Sequence, residues 1–552
     1  MVNNSSFEND RLLRLFEREL DAFHQSFPIM RRTSQAALYA VMAAYDSMLL
    51  PLREISAQID ERAIGSRQAM RAIVQSINPA LRWITAGNKL SHPKSSTEVD
   101  LIDEGGSLLN HARDYLILSA FHVMYSRGLM SVECDEAKKL VRFIRKQSHF
   151  PDGFVSAVVA QRAQRQEQFN RPQLISAFNR WLPRVTYQLK DGRIVFKRMT
   201  EFAGSEIVEV AKLFAMPETL ELADDTDLIG FTMGDFRRFW TALHSWSIAA
   251  TELYLGLVGN GVAQERCMPT QILTWPEFST AMSFLAELGP QVISEITHRL
   301  TYDTTDQKRD AFLQPLVVSS GWISWCPLLI KQSRPERNML KLMSRSPTLC
   351  NAASTIIGGR EGQMLKEIGL RLAKRSGYDY KLNTLIRGGG QSAELDLLAY
   401  NRKAPTEILL VEAKAVLAVD DVAEIQAATE QLWKAKRQLE RSKSILNIMP
   451  LERKQSLFPF VDWGRIETYR PLMITPDSSP LGEFTHDAVS VVTLEVFRTQ
   501  FSNRDLKTPT AIWEACRSKE WLKPFNLDGE DFYSRMKVGS VTYEIPGKEQ
   551  RL

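Results

Sequence analysis

Residues 393–415, AELDLLAYNRKAPTEILLVEAKA, decide how the rest of this chain is read. They hold two apolar runs, 394–401 and 407–413, joined by the polar segment 402–406, which is the pattern of a β-hairpin. With the hairpin centred on position 404, antiparallel partners sum to a constant and Asp396 falls opposite Glu412. Side chains alternate along a strand with period two, so Glu412 and Lys414 share one face, and Glu394 and Asp396 share one. Directly opposed residues point to the same side of a sheet. One small area is therefore expected to receive two or three carboxylates and an amine. Facing carboxylates repel, and strands disfavour Asp and Glu. A divalent cation is the usual compensation.

The arrangement resembles the PD-(D/E)XK nuclease superfamily, the restriction-endonuclease-like fold. Asp396 takes the place of the motif's first carboxylate, and Glu412, Ala413 and Lys414 that of its E-x-K; Leu395 stands where the motif has Pro. The resemblance covers about 358–447, a minor part of the chain. It implies a Mg2+- or Mn2+-dependent phosphodiesterase, a deoxyribonuclease acting as an endonuclease, with DNA as substrate and RNA not excluded. Asp396, Glu412 and the main-chain carbonyl of Ala413 are then the metal ligands, and Lys414 holds the attacking water or offsets charge building on the phosphate.

Flanking segments add candidates. Residues 360–376 place Leu365, Ile368 and Leu372 at helical spacing, with Gly377 where a C-terminal cap belongs. Glu361 lies on that inward stripe, while Glu367 groups with Arg371 and Lys374 on the outer face. In the resembled family a Glu of this first helix joins the metal site, so Glu361 is the fourth catalytic candidate and Glu367 the lesser one. The other reading of Glu361 is an acid in the helix's first turn, favoured by the dipole. Residues 378–386 form an expected strand, followed by Arg387 and Gly388-Gly389-Gly390. The glycines permit either close approach of a phosphate, assisted by Arg387, or a plain hairpin loop. A long helix is expected over 421–446, with Lys434, Lys436, Arg437, Arg441 and Lys443 crowding its second half against Glu440. Such a run binds a nucleic-acid backbone or forms a solvated face. Arg387, Gln431, Lys434, Arg437 and Arg441 are the nucleic-acid-binding candidates, Gln431 and Lys434 through the resemblance, which places a Gln or Lys of this helix near the scissile phosphate.

The chain has 552 residues, too many for one compact domain, with 44% hydrophobic and 24% charged residues, ordinary for a globular protein. Its formal charge of +4 leaves basic surfaces local. Five scattered cysteines without Cys/His spacing disfavour zinc sites and a disulfide framework. No signal segment, membrane-spanning run or phosphate-binding loop of an ATP motor is found, so a cytoplasmic protein without membrane or ATP partners is expected. Residues 9–171 read as almost wholly helical, 184–198 as a hairpin around Asp191-Gly192, and 202–300 as aromatic-rich helices carrying Arg237 and Arg238. The basic stretch 321–345 reads as an arm near the nuclease module or a linker helix, and 465–476 and 488–497 as further strands. The expected fold is an α+β multidomain chain, a large mostly α-helical N-terminal region followed by an α/β restriction-endonuclease-like domain with a central mixed sheet. Its parts are a helical domain 1–175, a mostly helical domain 176–350, the nuclease-like domain 351–500 and a tail 501–552 with short helices. The helical region is read as the place of regulation, target recognition or homo-oligomer or partner-protein assembly, suiting a bacterial defence or restriction-type effector.

Overall fold

The computed structural model describes residues 4–56, 73–86, 99–126, 130–145, 176, 180, 187–190, 193–196, 222–259, 261, 268–302, 310–319, 321–417, 422–476, 489–494, 497–498, 508–517 and 530–549. They belong to two compact units. One is built from the described residues of Met1–Lys146, Gln161–Leu349 and Gly529–Leu552, the other from those of Cys350–Asp528.

The second unit begins with helix α1 (Cys350–Ser376), followed by strands β1 (Asp379–Gly388), β2 (Gln391–Tyr400) and β3 (Glu407–Ala413). Helices α2 (Val422–Ile448) and α3 (Leu451–Leu457), strands β4 (Thr468–Thr475) and β5 (Ser490–Thr493) and helix α4 (Pro509–Arg517) complete it. The five strands form one mixed sheet in the order β5-β4-β3-β2-β1. Pairing is antiparallel from β1 to β3 and parallel from β3 to β5. Leu409, Val411, Leu472 and Ile474 face Leu365, Ile368 and Leu372 of α1, while Ile408, Leu410 and Met473 face Leu432, Ala435 and Leu439 of α2. Covering both faces explains why these strands read as continuous apolar runs.

The β2–β3 register follows position 404: Val411 pairs with Leu397 and Leu410 with Leu398. Gly377, at φ +68°, ends α1, its N–H bonded to Ala373 O and that of Tyr378 to Leu372 O. Gly388 pairs with Gln391, leaving Gly389 and Gly390, at φ +58° and +74°, as the two central residues of a tight hairpin turn. A Cβ on Gly388 would meet Ile445 O of α2 at 3.3 Å. The glycines thus serve the turn and its approach to a helix.

Helix α1 starts ten residues earlier than expected, running through Gly358 and Gly359, whose absent side chains face open space. Glycines inside a helix cost it about 1 kcal/mol each without breaking it, and packing of the apolar stripe outweighs them. Glu361 therefore sits inside the helix, and the first-turn reading of it is overturned.

The first unit departs further from the sequence reading. Helices Ser34–Ser56, Ile77–Thr85 and Val99–Ser126 are present, but Met130–Asp135 and Leu140–Arg145 are strands, so 9–171 is not wholly helical. These two strands share a sheet with Glu530–Val538 and Val541–Glu549 of the expected tail. A single core joins Tyr39, Met42 and Leu109 with Leu253, Leu328 and Leu329, merging the described parts of 1–175 and 176–350. Strands Tyr187–Lys190 and Arg193–Phe196 pair as the expected hairpin; its Asp191-Gly192 turn and residues 146–171 lie outside the described residues. Residues 321–345 are neither arm nor linker: Trp322–Trp325 is a strand, two short helices follow, and Arg337 and Asn338 are buried. Arg237 is tied to Glu336 and Asp224, and the surrounding aromatics are core. The tail is divided likewise. Helix α4 packs Ile512 and Cys516 onto the second unit's sheet, and Thr510 N and Oγ1 donate to Glu407.

Gly390→Val forces a β-branched residue into left-handed backbone and is expected to cost about 1–2 kcal/mol, against little for Gly390→Asn. Thermal melts of the two variants, followed through the transition of the second unit, check this.

Candidate active site

The strand ends supply the geometry. Asn383 adopts φ +46°, and its rung opposite Asp396 is missing from an otherwise unbroken β1–β2 ladder. Across this point the two-residue alternation inverts: Leu395 packs on the α2 side and Leu397 on the α1 side, although both are odd positions. The kink frees Asp396 from a regular rung, and its Oδ2 accepts the Ala413 N–H at 3.0 Å. A strand residue's N–H and C=O point the same way, so the Ala413 carbonyl is also turned toward β2. Lys414 N donates to Ile474 O at 3.0 Å, fixing the strand end against β4.

Lys414 Nζ then lies 2.8 Å from Glu412 Oε1 and 4.0 Å from Asp396 Oδ2. Glu412 is 1% exposed, and beyond the ammonium no donor meets its Oε1 in a well-aligned hydrogen bond. Burial, then the Asp396 charge, push the Glu412 carboxyl up to about 8. Burial also raises Asp396 above the usual carboxylate range, against the pull of Lys414 and the Ala413 N–H. Burial works against the Lys414 ammonium, but Glu412, Asp396 and Glu361 together outweigh it and the amine is held above its ordinary value. The cluster is one acid too rich for its environment, and a hard cation is what such a cluster accommodates.

Glu361 is brought to the same place by α1, close enough to act electrostatically on Asp396, Glu412 and Lys414. Its Oε1 accepts the Ala415 N–H at 2.9 Å, so it anchors the segment leaving β3. Among the described residues no group of three or more His, Cys, Asp or Glu side chains is arranged to hold a metal ion. Asp396, Glu412 and the Ala413 carbonyl nonetheless suit Mg2+ or Mn2+, because Mg2+ is ordinarily held by one or two carboxylates and keeps several waters. Glu367 is excluded: Arg498 and Arg371 both bind it, and they lower its carboxyl to about 2.

The basic candidates are dispersed. Gln431, Lys434, Arg437 and Arg441 are all exposed on α2, with Arg437 nearly opposite the buried stripe of Leu432, Ala435 and Leu439. Arg387 is exposed and pairs with Ser392, four residues and so about 13 Å along β2 from Asp396. It does not join the site. Glu394, expected on the face of Asp396, is exposed beyond the kink. Gln438 Nε2 donates to Glu394 O at 3.1 Å, tying α2 to β2.

Glu361→Ala should speed hydrogen exchange at the Ala415 amide, while Glu361→Gln, which keeps an acceptor, should leave it slow. For Glu367 the folded carboxyl lies below its usual value of 4.5, so its contribution is present above that pH and lost as pH falls toward about 2. The melting-temperature gap between the wild-type chain and Glu367→Gln should narrow across that window. No protein-family model matches the chain, and neither a curated protein nor a solved structure is found similar to it.

Proposed function

We propose that the second unit is a restriction-endonuclease-like domain and that the chain is a Mg2+- or Mn2+-dependent nuclease hydrolysing phosphodiester bonds of DNA. The observation that carries this is the convergence of Asp396, Glu412 and Lys414 where the kink in β2 meets the end of β3. The order helix, strand, two-stranded hairpin, helix, strand around a mixed sheet also supports it. Choice of DNA over RNA rests on the family resemblance alone.

A divalent ion bound here would neutralise a phosphodiester and lower the pKa of a bound water. Asp396, Glu412 and the Ala413 carbonyl would hold it. Lys414 donates hydrogen bonds from a compact charge and would steady negative charge at the reacting phosphate. Glu361 and Asp396, through the Ala415 and Ala413 amides, set the backbone on either side of Lys414. The exposed side chains of Gln431, Lys434 and Arg441 extend from α2 toward solvent, available to a nucleic-acid backbone.

A second reading is a nucleic-acid-binding platform with little turnover, in which Lys414 and Glu412 form a structural ion pair. Purified chain incubated with plasmid, linear and single-stranded DNA and with RNA, in Mg2+, Mn2+ or EDTA, separates the two. Cleavage is expected with metal and not in EDTA. Asp396→Asn, Glu412→Gln and Lys414→Met should each lower it by about a hundredfold or more while circular dichroism stays unchanged. Undiminished cutting by all three variants overturns the site; binding without cutting supports the platform.

A further inference from the structure

We propose that the Lys414 ammonium occupies the seat between Asp396 and Glu412 that a divalent cation takes, so cation entry requires this side chain to swing away. The inference rests on the metal-dependent reading above and adds a built-in competitor to it. Its basis is the placement of one nitrogen within 4.0 Å of both carboxylates. Glu412 has no other close donor at Oε1, so the ammonium is that oxygen's close partner. The second Asp396 contact, the Ala413 N–H, comes from fixed backbone and cannot be displaced in the same way.

A divalent ion sits about 2.0–2.6 Å from its oxygen ligands, inside the 2.8 Å at which Lys414 approaches Glu412. Both cannot take the same side of that oxygen. With the side chain in place, an arriving ion meets a like charge at contact distance. With the side chain withdrawn, the ion meets two carboxylates. Lys414 is 22% exposed, so its ammonium has an outlet toward water. An incoming phosphodiester offers it a replacement anion, which would couple cation binding to substrate binding. The seat is thereby kept neutralised until both arrive.

The test uses the full chain and Mn2+ alone, with free Mn2+ read by electron paramagnetic resonance at pH 8.5. Lys414→Met, which keeps the length of the side chain and removes its charge, is expected to bind Mn2+ about tenfold more tightly or better. Glu412→Gln is expected to lose the site. If Lys414→Met fails to fold, amine labelling of the wild-type chain by an acylating reagent, read at Lys414 by mass spectrometry, replaces it. Labelling is expected to rise several-fold with saturating Mg2+. Mn2+ binding that Glu412→Gln removes and Lys414→Met does not strengthen, or Lys414 labelling unchanged by Mg2+, overturns the competition alone. Absence of any Glu412-dependent Mn2+ binding in either the wild-type chain or Lys414→Met overturns the metal-dependent reading itself.

Discussion

Burying two carboxylates beside one ammonium is the constraint to which the second unit is fitted. An isolated buried charge is several kcal/mol less stable than one in water, and removing one partner of a buried pair is worse. When both are ionised, Asp396 and Glu412 together exceed the charge that Lys414 supplies. Everything nearby bears on that imbalance. The kink at Asn383 frees Asp396 to cap the end of β3, β4 holds Lys414 by its backbone, and α1 sends Glu361 to the next amide. A core that only needed stability would place apolar residues at these positions. On the function proposed above, the charge retained there serves a reactive place inside a rigid frame.

The rigid frame itself is ordinary packing. β3 and β4 are covered on both faces, and neither α1 nor α2 has any other way to bury its stripe. That division makes the site precise. β2 and β3 are each paired on both edges, which fixes the backbone that carries the acids. The polar outer face of α2 can vary without disturbing them.

The same division explains what could be read in advance. β3, the 404-centred register and the helices on either side were legible because periodicity and turn chemistry report local and nearest-neighbour pairing. The inversion at Asp396 was not legible, since it depends on one backbone angle in β1, at Asn383. Glu361 was correctly drawn inward by its place on the α1 stripe, yet its bond to a backbone amide is a three-dimensional fact. By residue type Arg387 suits a phosphate, and Glu367 is the lesser acid of the α1 pair. Strand distance removed the first and Arg498, far along the chain, claimed the second. In the first unit, Met130–Asp135 and Leu140–Arg145 were overlooked because the strands that complete their sheet lie some four hundred residues downstream.

That last pairing has a consequence for how the molecule is made. Leu140 aligns with Thr542 and Arg142 with Glu544, whose buried carboxylate also binds Arg535. A ribosome must translate as far as Val541–Glu549 before this ladder can close, and every strand of the β5-β4-β3-β2-β1 sheet precedes that segment. Assembly during synthesis would therefore run inside out, with the interior segment ordering first and the flanking segments closing last.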